Sequence, residues 1–316
     1  MTAVSKAAVD LRVRVGALEL PNPIVAASGT FGHGDEVAGL CDPAAVGAVT
    51  AKSQAPFEWA GNPPPRLHPV PTGMVNAVGL QGKGVEHWVA HDLPALRARG
   101  TRVIASIWGR SIDDYVAAAA LLAPAVGDLV ALEVNLSCPN LHHDSTMFAE
   151  DANDTAAVIE AVHQVGLDLP LFAKLSPGVS HLPAIAGAAL EAGAGGLTLV
   201  NTVRALLIDA ESRRPVLGGR GGGLSGAAIK PIALRAVHDV ARAHPGAPII
   251  GTGGVMSGVD AVEMLLAGAS AVGVGTATFL EPRAMLRVLR ELTKWCARHG
   301  VDRVAELTSG LRWEDA

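Results

Sequence analysis

Apolar positions in this chain fall into two alternating kinds of run. Short β-branched runs recur at PIVAAS (23–28), AVGAVTA (45–51), RVIASI (102–107), LVALEVN (129–135), PLFAKL (170–175), GLTLVN (196–201), PIIGT (248–252) and AVGVGT (271–276). They are apolar almost throughout, the pattern of parallel strands covered on both faces. Between them lie Ala/Leu-rich segments of helical amphipathicity at 111–126, 152–165, 181–193, 226–243, 258–268 and 282–298. Two of these stop on glycine signals, AGAGG near Ala192 and AGAS after Leu266. Eight strands with interleaved helices predict an α/β fold, a single (β/α)8 TIM barrel rather than an open Rossmann sheet, with residues 1–316 as one domain. RVRVGALELPNP near the start reads as a hairpin capping the barrel bottom. The stretch 57–82 is too rich in Pro and Gly for a helix and reads as a long irregular strand-end insertion over a site.

Chemistry in such barrels sits at the C-terminal strand ends. There the runs close on Ala27-Ser28-Gly29, Lys52-Ser53, Ser106, Asn135 to Asn140, Lys174, Asn201-Thr202, Gly251 to Gly254 and Gly275-Thr276. A lysine at the end of an apolar strand is costly unless it faces an anion or an electron-rich acceptor. Two such lysines, Lys52 and Lys174, occupy equivalent positions. In the last third, IIGTGGVMSG follows strand seven and VGVGTATFL follows strand eight, where barrels often grip phosphate, and GGRGGGLSG (218–226) adds a third glycine-rich segment before a helix. None has the Rossmann GxGxxG context. A phosphate-bearing cofactor beside two strand-end lysines points to FMN, whose reduced anionic ring a cation near N1 and the C2 oxygen stabilises; Lys174 is the residue for that role.

Composition narrows this further. Hydrophobic residues make up 49% and aromatics 3%, so the core is aliphatic. A net charge of −5 with no basic block argues against nucleic acid. The three cysteines show no CxxC spacing and fit a reducing cytoplasm rather than a disulfide or zinc framework. The first ten residues lack a secretion pattern, and VAAAALLAPAVG is too short for a membrane span and is broken by Pro124. His142 and His143 are adjacent with no third ligand at helical spacing, so they read as a solvated pair and no metal is expected.

The ordered set ASGTFGHGDE, TAKS, GNPPPRLHPVPTGMVNAVGLQGKGVE, EVNLSCPN, AKLSP, LVNT, GGLSG, IIGTGGV and VGVGTATF resembles the class 1 dihydroorotate dehydrogenases over almost the whole chain. The SGTFGxG start and the GNPxPR…GMxNAxGLQ loop look most like class 1B, whose members work with an iron–sulfur flavoprotein subunit and pass electrons to NAD. The resemblance implies FMN-dependent oxidation of (S)-dihydroorotate to orotate in de novo pyrimidine biosynthesis. It implies FMN held by Ser28, Lys52, Ser53, Ser106, Asn135, Lys174, Val200, Gly226, Gly253, Gly254, Gly275 and Thr276. Substrate would be held by Lys52, Asn76, Ala77, Val78, Gly79, Leu80, Asn135, Asn140, Asn201 and Thr202. Asparagine suits a pyrimidinedione because its amide both donates and accepts. Cys138 would take the C5 proton while the C6 hydride goes to flavin N5. Implied partners are a second copy of the chain and an iron–sulfur/FAD electron-transfer subunit in a heterotetramer.

The sequence departs from the family pattern at Ser106, usually Asn, at 141–145 after CPN, and at Ala205, commonly Gly. Rival readings are a class 1A-like fumarate-using enzyme and a dihydropyrimidine dehydrogenase-like barrel, whose CPH contrasts with Asn140. A tRNA-dihydrouridine synthase would show NxGCP and a basic domain. A non-redox phosphosugar enzyme would leave the asparagines and Lys174 without a purpose.

Overall fold

Runs that are apolar on both faces have to be covered on both faces, and here they are. A computed structural model of the chain describes residues 9–136, 147–219 and 221–313. Eight parallel strands close into a barrel: β1 (Ile24–Ala26), β2 (Ala48–Thr50), β3 (Val103–Ile107), β4 (Leu129–Asn135), β5 (Leu171–Leu175), β6 (Gly196–Leu199), β7 (Ile249–Thr252) and β8 (Ala271–Val274). Each pairs with its neighbours in chain order, and β8 closes on β1 through Gly273 opposite Val25. All eight strands predicted from the pattern are present, so the (β/α)8 reading holds.

Helices pack outside. Ile112–Ala120, Ala152–His163, Leu182–Glu191, Lys230–Ala243, Gly258–Leu266 and Ala284–His299 match the six predicted segments. The first of these is shorter than expected, because Pro124 falls in a separate 3-10 segment, Ala123–Asp128. Their caps are visible in the chain: Ser111, Asp151 and Ser257 each accept a backbone N–H in the first turn. Gly300 ends the last helix in the left-handed conformation. Between β1 and β2 only a 3-10 turn at Pro43–Ala45 stands where a barrel helix would be. Cys41 and Cys296 are fully buried, and burial pushes both thiols up from their ordinary value.

The predicted N-terminal hairpin pairs Val13–Val15 with Leu18–Leu20. A Cβ at its turn, Gly16 (φ +61), would lie 2.6 Å from the carbonyl oxygen of Gly195, which leads into β6, so the hairpin plugs the N-terminal end of the barrel.

Two elements differ from the sequence expectation. The stretch 57–82 is not irregular throughout. Leu67–Val70 and Gly73–Asn76 form a hairpin, extended by Gly222–Ser225 and Val203–Ala205 into a four-stranded antiparallel sheet. Pro69 hides it: proline depresses strand signals, yet Leu67–Val70 is the sheet edge, where a missing N–H is tolerated. A further helical segment runs from Val85 to Ala98 with a π turn at Trp88–Asp92. Pro94 lies just past that turn and reads as a breaker in the bare sequence.

Candidate active site

Strand ends and the four-stranded sheet enclose a cleft of about 1200 Å³ of empty space, mouth included. Two lysines, Lys52 and Lys174, line it among the described residues, and no carboxylate does. That charge balance suits an anionic occupant.

Most of the residues picked out from the sequence meet here. Ser28, Lys52, Ser53, Asn135, Lys174, Val200, Gly226, Gly253, Gly254, Gly275 and Thr276 line the cleft, as do Asn76, Val78, Gly79, Leu80, Asn201 and Thr202. Ala77 does not. Its side chain packs with Val75 and Leu217 in a small apolar cluster, while its carbonyl accepts from Asn62 Nδ2 at 3.0 Å. Ser106 also stands off the wall. Cys138 and Asn140 lie outside the described residues, as do His142 and His143.

Behind the wall, the polar side chains form a directed chain. Asn135 Nδ2 donates to Ser53 Oγ at 3.2 Å. Ser53 and Ser106 hydroxyls are 2.9 Å apart, and Ser106 Oγ donates to Glu133 Oε1 at 3.1 Å. A serine has one hydroxyl proton, so Ser53 is the donor to Ser106. Lys174 Nζ reaches the same Glu133 oxygen at 3.4 Å. Ser106 therefore occupies a second layer, tying the wall to a buried carboxylate. Tyr115 Oη donates to the Asn135 carbonyl at 2.9 Å and fixes the end of β4 from outside.

The substrate-side turn is shaped just as firmly. Gly79 (φ +74) and Leu80 (φ +62) are consecutive left-handed residues. A Cβ on Gly79 would sit 2.7 Å from the Asn62 backbone nitrogen. Leu80 has no such licence, and a leucine held there costs on the order of 1 kcal/mol. Trp59 Nε1 donates to the Gly79 carbonyl at 3.0 Å and holds the turn. Asn76 Nδ2 donates to the Gly223 carbonyl at 3.1 Å, and the Asn201 amide oxygen accepts from the Thr202 N–H at 2.9 Å.

At the other end, the loops after β7 and β8 converge. Among the described residues, the backbone N–H groups of Gly253, Gly254, Gly275 and Thr276 donate to no protein acceptor. Gathered N–H donors without acceptors make a cradle for an anion such as a phosphate. Thr276 Oγ1 donates to Ser225 Oγ at 2.8 Å, bringing the 222–226 segment against it. Ser225, Val255, Met256 and Phe279 line the cleft without having been named as site residues from the sequence, although each lies inside a glycine-rich motif singled out there.

The β7 loop is held from beneath. Asp260 Oδ2 accepts from the Met256 N–H and the Ser257 hydroxyl, both at 2.9 Å, and Oδ1 accepts from Lys230 Nζ at 2.6 Å. Burial alone would raise the Asp260 carboxyl; Lys230, Met256 and Ser257 outweigh it and hold it below the ordinary range. Asp260 and Glu263 hold Lys230 above its own. A depressed carboxyl contributes stability that is present above its unfolded pKa and lost as pH falls through the folded value. Asp260→Asn is therefore expected to cost about 1.5–3 kcal/mol at pH 7. In thermal melts the gap to wild type should close below about pH 4. A gap that stays constant from pH 7 to pH 3 would separate the loop's anchoring from this charge.

Among the described residues, no group of three or more His, Cys, Asp or Glu is placed to hold a metal ion, and no helix is long and apolar enough to cross a membrane. Arg204 forms an exposed rim pair with Glu150 at 3.6 Å.

Comparison with known proteins matches the Dihydroorotate dehydrogenase family profile over residues 10–295. A putative dihydroorotate dehydrogenase A (fumarate) of Solibacter usitatus is 47% identical, covering 96% of this chain and 99% of that one. The catalytic subunit of dihydroorotate dehydrogenase B (NAD(+)) of Bacteroides thetaiotaomicron is 41% identical, covering 96% and 99%. Its counterpart of Alkaliphilus metalliredigens is 43% identical over the same shares.

Proposed function

The chain belongs to the dihydroorotate dehydrogenase family, and we propose that as a single FMN-binding domain it oxidises (S)-dihydroorotate to orotate in pyrimidine biosynthesis. The observation that carries this is the cleft itself. Among the described residues it has two lysines and no carboxylate on its wall, three asparagines (Asn76, Asn135 and Asn201), and four backbone N–H groups that donate to no protein acceptor. The donor set fits FMN: the N–H cradle at Gly253, Gly254, Gly275 and Thr276 would hold a phosphate, and Lys174 would face an electron-rich part of the ring.

FMN, when bound, supplies the acceptor for the hydride leaving C6 of dihydroorotate. The chain's own residues do the rest. Asn76, Asn135, Asn140 and Asn201 hold the pyrimidine ring, whose alternating carbonyls and N–H groups match amide side chains. Lys52, on the cleft wall, would neutralise anionic charge of a bound cofactor or substrate. Thr202 and the 76–80 turn complete the substrate wall. Cys138, three residues beyond the end of β4, removes the C5 proton. That role comes from the family resemblance.

We further propose that electrons leave to NAD through a partner subunit. The three cysteines of this sequence, Cys41, Cys138 and Cys296, show no cluster-binding spacing, which supports placing an iron–sulfur centre on a partner. A fumarate-using reading is favoured by the name of the Solibacter usitatus relative. An acceptor assay decides between them. Purified chain with dihydroorotate is expected to reduce NAD only when an electron-transfer subunit is added. NAD turnover by this chain alone would refute the partner, and fumarate turnover by this chain alone would establish the other reading.

A further inference from the structure

Glu133 is the most deeply buried carboxylate among the described residues, 3% exposed, and the chemistry outlined so far gives it no part. It lies on β4 two residues before Asn135, on the same face of the strand. One of its oxygens accepts from both Ser106 Oγ at 3.1 Å and Lys174 Nζ at 3.4 Å. Lys174 lines the cleft and Glu133 does not. The pair adds no net charge to the barrel interior, yet the cleft meets the cation first.

We propose that Glu133 is a positioning residue: through Lys174 it keeps a charged ammonium at the floor of the cleft, with Ser106 locking the carboxylate in place. This rests on the FMN reading above. Taking a lysine ammonium that is 5% exposed into an aliphatic barrel without a counter-ion is costly. Among the described residues, β4 presents Glu133 to Lys174 and places Asn135 in register with it, β6 places Thr198 in register with it, and Ser106 of β3 bonds Glu133 from the other side. Lys52, of like charge, lines the same cleft and cannot substitute for the carboxylate. Glu133 is thus what lets Lys174 stabilise the negative charge that the ring gains on reduction.

The test is the midpoint potential of bound flavin in wild type, Glu133→Gln, Lys174→Met and the double variant. Both single changes are expected to lower it. Each should reduce the affinity for reduced over oxidised flavin by about tenfold or more, the order of one lost charge interaction at partly screened range. Because Glu133 acts through Lys174, the double variant should fall no further than Lys174→Met alone. A merely structural Glu133 would lower the melting temperature without moving the potential.

An unchanged or raised potential in Glu133→Gln would overturn the inference, as would additive shifts in the double variant. If Glu133→Gln does not fold, the double variant carries the test, since it leaves no buried charge unpaired. Its folding supports the pairing, and its failure to fold counts against it. A wild-type protein that takes up no FMN would speak against the functional reading, whereas a flavin-loaded wild type with an unmoved Glu133→Gln potential defeats only this inference.

Discussion

Replacing Cys138 with alanine is expected to slow reduction of the bound flavin by dihydroorotate by about 10²–10⁴-fold, with the cofactor still in place. A positioned base is worth that much when a C–H proton must leave as hydride departs from the adjacent carbon. None of the contacts assigned to FMN uses this side chain, so flavin content and the visible spectrum should match wild type. Anaerobic single-turnover mixing at saturating dihydroorotate separates the chemical step from binding. An ordinary thiol has a pKa near ~8.5, so the wild-type rate should rise with pH through the neutral range and Cys138→Ala should lose that dependence. Near-normal reduction by the alanine variant at neutral pH would remove Cys138 from the role of base.

Gly254→Ala is expected to yield protein that no longer retains FMN. Gly254 has φ +76, and a Cβ there would lie 2.7 Å from both the Cα and the backbone nitrogen of Lys230. Backbone cannot swing aside as a flexible side chain does, so the β7 loop has to move. That displaces two of the four cradle N–H groups. The positive φ adds a cost of about 1 kcal/mol or more for any side chain. Gly275→Ala provides the contrast, because its Cβ would meet Ala27 and Thr30 at an ordinary 3.5 Å. It should therefore fold without strain. Flavin absorbance per protein after gel filtration, with a thermal melt to confirm folding, measures both. A yellow, fully loaded Gly254→Ala protein would mean that this loop does not hold the phosphate.

The barrel was legible because its strands announce themselves twice, as β-branched runs and as runs apolar on both faces. The site was legible for a related reason: in a parallel barrel the first polar residues after each run must gather at one end. Lys52, Asn135, Lys174 and the Gly253-Gly254 pair follow that logic and line one cleft. What escaped depends on partners distant in the chain. The 67–76 hairpin is stabilised by Gly222–Ser225, some 150 residues away, and its Pro69 argues locally against a strand. Ser106 ends a strand as the others do, yet its hydroxyl turns to Glu133 rather than to the cleft. Which way a side chain of that size points is decided by its neighbours. Glu133 carried a readable signal. An acidic residue two positions before Asn135 in an otherwise apolar strand shares its face, and so has to be paired in the interior.

The measurement that bears most directly on the central claim is an anaerobic titration of the purified, FMN-reconstituted protein with dihydroorotate, followed by visible absorbance. The expected result is a yellow protein whose flavin band bleaches stoichiometrically, with one orotate formed per flavin. A protein that cannot be loaded with FMN, or a loaded one whose flavin stays oxidised under excess dihydroorotate, would contradict it.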